Sequence, residues 1–255
     1  MTLRIEIMAL AMAFVLTTGQ TGSCENPQTA TVASNDAPAA VMASSMARLD
    51  AAMTEIEINK NNYETWKNIP LAKEVLTILK DQVPLRVEGK ITPYGKIVII
   101  DKAISSIPQR SVARFCLEAR NFQLSMFGKI EDQDAALDMK IDEYEGDAAA
   151  FVRKVDAGVV AKQALKWDDF TSGKLSMKQW CSKYNVNLKF DPVEMTPEYE
   201  AAIYDVEAQC AEALASEERV MGFCYRDWAQ KKAALAERGI NWKTPSEMNP
   251  KVIFD

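Results

Sequence analysis

The segments FCLEARNFQ (Phe115–Gln123) and IDEYEGDAAAFVRKV (Ile141–Val155) lie within Ser111–Val155, and the rest of the chain is read outward from them. The spacing predicts a helix from Pro108 to Phe127. Its stripe is Val112, Phe115, Cys116, Ala119, Phe122 and Met126, and Leu117 and Leu124 make a second side apolar. A helix apolar on most sides belongs at the centre of a fold rather than at its edge. Gly128 is placed to close it with a left-handed residue. A second helix is expected from about 134 to 157, with Leu137, Ile141, Ala148, Val152 and Val155 inward. Each helix carries a glutamate on or beside its apolar face, Glu118 and Glu145. A carboxylate in such a stripe must be ion-paired, hydrogen-bonded or protonated.

On the N-terminal side, Met46, Leu49, Met53 and Ile56 follow the three-to-four spacing of an amphipathic helix over 44–58. Another helix is expected after Pro70, through Leu71, Val75, Ile78 and Leu79 to Asp81, with Pro84 as its stop. LRVEGKITPYGKIVIID reads as a β-hairpin: Leu85–Glu88, a turn at Thr92-Pro93-Tyr94-Gly95, and the β-branched run Ile97–Ile100. On the C-terminal side, Trp167, Phe170, Trp180 and Tyr184 gather around a short helix capped by Ser176. NVNLKFDP reads as a brief strand. Thr196 and Pro197 open a helical hairpin that runs to Arg238, with Ser216 as the second N-cap and Gly239 as the stop. The tail from Ile240 has no period and is expected along the surface or in a short strand.

Composition narrows the chemistry. A chain of 255 residues with 48% hydrophobic residues can bury a substantial core. A formal charge of −6 without any basic run speaks against nucleic acid as a partner. The chain contains no histidine. That removes the commonest general base and zinc ligand and the usual activator of a Ser or Cys nucleophile. No Gly-rich phosphate loop or GxSxG is present, and no cofactor or metal is expected.

The first residues resemble an export signal, with Arg4 ahead of an apolar run from Ile7 to Leu16. TGSC, ending at Cys24, resembles a lipobox, which makes Cys24 a candidate lipidation site; ordinary cleavage near Gly19 is the alternative. Residues 1–23 are therefore read as a signal peptide and 24–43 as a disordered tether, rich in Ala, Thr, Ser, Asn and Pro. Residues 44–165 form the main domain, and 166–255 a helical extension packed on it. Export to the periplasm, outer membrane or cell exterior follows, with any membrane contact made through the lipid anchor. In such a compartment Cys116, Cys181, Cys210 and Cys224 allow up to two disulfides in three connectivities. Cys210 and Cys224 flank the bend of the C-terminal hairpin.

The order hairpin, central helix, break and E-x-D-A-x-A helix resembles the bacterial zincin-type metallopeptidases over roughly Gly95–Ala164. The resemblance places LEARN (Leu117–Asn121) where that family has HExxH and EGDAAAF (Glu145–Phe151) where it has the third ligand. HExxH works because two histidines one turn apart reach one zinc while the glutamate activates its water. Leu117 and Asn121 stand at those two places, so the resemblance implies a degenerate site in which only Glu118 and Glu145 survive. One carboxylate does not hold catalytic zinc.

The fold class expected is therefore α+β and predominantly helical, with one small hairpin packed beside a central helix pair. The expected function is a secreted, non-catalytic protein that binds a protein or peptide partner or acts as an envelope scaffold. Its vestigial site would comprise Leu117, Glu118, Asn121 and Glu145. Three alternatives stay open for the glutamates. Glu118 pairs with Arg114 or Arg120; Glu118 and Glu145 form a metal-independent hydrolytic pair; or Asp142, Glu143 and Asp147 help hold a hard cation. A helical envelope lipoprotein unrelated to peptidases is the remaining reading.

Overall fold

Leu49, Ala52 and Ile56 recur at helical spacing and are buried, and they lie on α1 (Asp36–Asn61). The computed structural model describes residues 36–81, 93–131 and 155–254. The helix starts earlier than expected, so residues 36–43 are helical rather than part of a disordered tether. Four of those eight residues are alanines, the best helix formers. The remainder of the tether, with Cys24 and the signal segment, lies outside the described residues.

Helix α2 (Asn68–Asp81) buries Ile69, Leu71, Ala72, Val75, Leu76 and Leu79. It begins before Pro70, which falls in the first turn where a missing N–H is harmless. Asn68 is fully buried and ties three elements together. Its Nδ2 donates to the carbonyls of Ile56 (3.0 Å) and Ser106 (3.0 Å), and its Oδ1 accepts from Asn59 Nδ2 (2.9 Å).

The hairpin expectation fails at Ile97–Ile100, which belong to α3 (Pro93–Ser105). Four consecutive β-branched residues read as a strand, but the period appears only over a longer window. Pro93, Lys96, Ile97, Ile100, Ala103 and Ile104 are the buried positions, and their spacing is helical. Pro93 occupies the first helical position rather than a turn. Leu85–Glu88 lies outside the described residues. Among the described residues no strand occurs, so the fold is predominantly helical without the expected sheet. NVNLKFDP is likewise irregular up to a short 3-10 turn at Pro192–Met195.

Helix α4 (Ala113–Glu131) is central, as its apolar faces predict: Phe115, Cys116, Ala119 and Met126 are buried. Gly128 does not end it, because the helix runs three residues further. Arg120 and Gln123 are also buried on it. The Arg120 guanidinium pairs with Asp101 of α3 and donates to Gln123 Oε1 (2.8 Å), and Gln123 Nε2 donates to the Ile97 carbonyl (2.9 Å). This polar knot fixes α3 on α4. The helix expected over 134–157, including Glu145, lies outside the described residues.

Helix α5 (Ala157–Thr171) starts at Asp156, whose carboxylate accepts from Val159 N–H (2.7 Å). It packs on α4 and, with α6 (Met177–Lys183), builds an aromatic centre. Phe170 and Trp180 meet edge to face at 5.0 Å, and Phe190 stacks on Phe170 at 5.5 Å. Ser176 caps α6 in a reciprocal box with Gln179, as its sequence predicts.

Helix α7 (Pro197–Ala213) opens on Thr196 and Pro197 as expected, and α8 (Phe223–Glu237) returns along it. The second N-cap is Gly222 at φ 81°, not Ser216. Gly239 (φ 75°) follows α8 in the left-handed conformation.

The tail is more structured than its sequence implied. Ile240 and Trp242 are buried, and Thr244 caps a last turn, α9 (Pro245–Met248). Buried Glu194 accepts from Trp242 Nε1 (3.0 Å) and Arg110 Nε (2.9 Å), while Asn249 exchanges two bonds with the backbone of Lys189. One cluster of buried side chains runs from Leu49 through Trp242.

Candidate functional site

The residue singled out by the sequence, Glu118, lies in a shallow groove between α2 and α4. The groove is lined by Lys73, Lys80, Arg114, Phe115, Glu118 and Glu200, among others, and measures about 360 Å³. Glu118 is 57% exposed and pairs with Lys80 Nζ at 2.5 Å. It pairs with neither arginine offered to it by the sequence. Arg120 turns inward to Asp101, and Arg114 meets Glu200 at 3.4 Å. Leu117 packs partly buried against the core, and Asn121 is exposed.

Glu200 of α7 has a structural task here. Its two carboxylate oxygens accept from the backbone N–H groups of Arg114 (2.9 Å) and Phe115 (3.0 Å). It thus caps α4 from a neighbouring helix, where free N–H groups and the helix dipole favour a negative charge. Arg114 also donates to the Met195 carbonyl (2.9 Å). Both carboxylates of the groove are therefore engaged.

A larger opening of about 630 Å³ lies at the other side of α7. The short link from α1 to α2 supplies Tyr63, Glu64 and Trp66; α7 supplies Glu207, Cys210 and Leu214. The bend and the start of α8 add Glu217, Arg219, Val220, Phe223, Cys224 and Asp227. Tyr63 holds a left-handed backbone at φ 59°, and its side chain is 87% exposed. That conformation closes the C-terminus of α1: Tyr63 N–H donates to the Lys60 carbonyl (3.1 Å) and Glu64 N–H to the Asn59 carbonyl (2.8 Å), the paired bonds of a left-handed helix cap. Trp66 leans on Tyr204 of α7 at 5.7 Å, which fixes that wall.

The bend itself is well built. Glu217 pairs with Arg226 at 2.9 Å, Arg226 also donates to the Glu218 carbonyl (3.2 Å), and the guanidiniums of Arg219 and Arg226 lie 5.7 and 5.5 Å from the Phe223 ring centre. At the floor, Glu207 pairs with Lys231 of α8, whose ammonium also stands 5.5 Å from the Trp242 ring. Burial and the neighbouring Glu207 hold the Asp227 carboxyl above the usual carboxylate range, against the pull of Lys231 and Arg219. Asp227 makes no ion pair or hydrogen bond among the described residues, and Arg219 makes no ion pair either.

Cys210 and Cys224 line this cleft together, as the bend position implied, but both are free, as are Cys116 and Cys181. Burial pushes the Cys210 thiol up to about 11 and the Cys116 thiol to about 12. Cys116 is an ordinary packing residue of α4.

No family model, curated protein or solved structure matches this chain.

Among the described residues, no three His, Cys, Asp or Glu side chains converge as a metal site, and no helix is long and apolar enough to cross a membrane. Glu145, Asp142, Glu143 and Asp147 lie outside the described residues. The groups that do converge, Tyr63, Trp66, Arg219 and Asp227, were not singled out in the sequence. No local signal in the sequence marks them, because they come from two distant segments that meet only in the folded chain.

Proposed function

We propose that this chain is an exported, non-catalytic binding protein whose ligand sits in the cleft between the α1–α2 link and the α7–α8 bend. The observation that carries this reading is the cleft itself, a concavity of about 630 Å³ with exposed Tyr63 at its rim and with Asp227 and Arg219 free of ion pairs among the described residues. That volume is typical of small-ligand sites. The absence of histidine supports a binding role over hydrolysis.

Two observations favour a helical envelope protein, lipid-anchored if Cys24 is modified, over a peptidase that has lost its zinc. Ile97–Ile100, which stood for the strand before the HExxH helix, is helical. Glu118 points to solvent and is held by Lys80. A hydrolytic carboxylate pair draws no support from a glutamate so engaged.

The test is a thermal-shift screen of the purified protein against amino acids, short peptides, sugars and phosphates, followed by hydrogen exchange with any hit. A ligand of this cleft slows exchange at residues 63–66 and 207–227. Protection confined to residues 73–80 and 114–118, or turnover of a screened peptide, would overturn the reading.

A further inference from the structure

We infer that the cleft recognises a small zwitterion, an amino acid or short peptide whose ammonium group meets Asp227 and whose carboxylate meets Arg219. This rests on the binding role proposed for the same cleft.

The inference starts from a charge imbalance. Of the four carboxylates that line the cleft among the described residues, three have basic partners: Glu64 with Lys67 (2.8 Å), Glu207 with Lys231, and Glu217 with Arg226 (2.9 Å). Those three bases do not line the opening themselves. The fourth carboxylate, Asp227, has none. Among the described residues, Arg219 is the one basic residue on the lining. Asp227 and Arg219 thus face one space with opposite charges and form no ion pair, which places their charged atoms more than 4.0 Å apart.

Burial raises the Asp227 pKa while its carboxylate still opens onto the cleft, where a cationic group can reach it. An ammonium group between Glu207 and Asp227 lowers that pKa again. Exposed Arg219 lies 5.7 Å from the Phe223 ring centre and makes no ion pair among the described residues, which leaves its guanidinium N–H groups available to a ligand carboxylate. A simple amine would satisfy Asp227 and leave Arg219 idle; a simple acid would do the reverse and meet three further carboxylates. A zwitterion satisfies both. Leu214, Val220 and the ring of Trp66 supply apolar surface for an aliphatic side chain.

The experiment is isothermal titration of the full chain with four probes: L-leucine, L-leucyl-L-leucine, isoamylamine and isocaproate. Isoamylamine is leucine without its carboxylate, and isocaproate is leucine without its amino group. The expected result is binding of at least one zwitterion, weaker binding of isoamylamine and none of isocaproate. The leucine and dipeptide arms separate a free amino acid from a peptide as the source. D227N and R219Q should each weaken the zwitterion about tenfold, the scale of one charge-assisted hydrogen bond, while E118Q leaves it unchanged. Cooperative melting of the two cleft variants, with D227N no less stable than the parent, would show that both fold. If isoamylamine or isocaproate binds as well as leucine, or if no probe binds, the charge assignment is overturned. A screening hit of another chemistry that still protects residues 207–227 would leave the cleft's binding role standing without it.

Discussion

The groove at Glu118 and the cleft at Asp227 flank the same helix, α7, and are both lined by charge. They differ in whether that charge is matched. In the groove Glu118 pairs with Lys80, and Glu200 is spent on the N-terminus of α4 and on Arg114. In the cleft Asp227 and Arg219 face each other's space without touching. Matched charges hold helices together; unmatched ones sharing a concavity leave recognition to something that arrives. A carboxylate is therefore better judged by its partners than by the apolar residues beside it in the sequence.

The largest expected effect comes from the interior beneath the groove. Arg120→Met removes the buried partner of Asp101 and of Gln123, and denaturant unfolding should show a loss of about 3 kcal/mol. Glu200→Ala comes next. It strips the cap from α4 and should lower stability by about 1.5 kcal/mol. A loss no larger than that of a surface glutamate would mean the groove's charges are not structural.

The third prediction has the opposite sign. Because the folded-state pKa of Asp227 is raised, the native protein holds this proton more tightly than the unfolded chain does. Its charge therefore weakens the fold once the pH rises above that pKa, and the penalty vanishes below about pH 4, where both states are protonated. The groups around it are Glu207, Lys231 and Arg219. Asp227→Asn should accordingly be slightly more stable than the parent at neutral pH, with the gain gone in acid. A loss of stability at neutral pH would mean that Asp227 has a structural partner and that the two regions do not differ. The smallest effect falls on the residue the sequence made most of. Glu118→Gln breaks an exposed pair and should change stability by no more than about 0.5 kcal/mol.

Helical periodicity made most of the fold legible: α1, α2, α4, α6 and the α7–α8 hairpin all follow from the spacing of apolar residues and from Ser176, Thr196 and Pro197. Ile97–Ile100 misled because four β-branched residues are too short a window to separate a buried helix from a strand. The tail misled for a different reason. Glu194, Asp191 and Asn249 pin it through side-chain bonds across roughly 50 residues of chain, and such bonds leave no local period. The cleft was illegible for the same cause. Tyr63, Trp66, Arg219 and Asp227 come from two distant segments that only the packing of α7 brings together. Even Glu118 was misplaced, since the buried charged position of α4 is Arg120, two residues on.

The contrast between the two regions is tested most directly by following backbone amide resonances while L-leucyl-L-leucine is added to the full chain. Shifts gathered at residues 63–66 and 214–227, with the groove residues 76–80 and 114–118 unmoved, are the expected result. Shifts gathered at the groove, with the cleft unmoved, would contradict it.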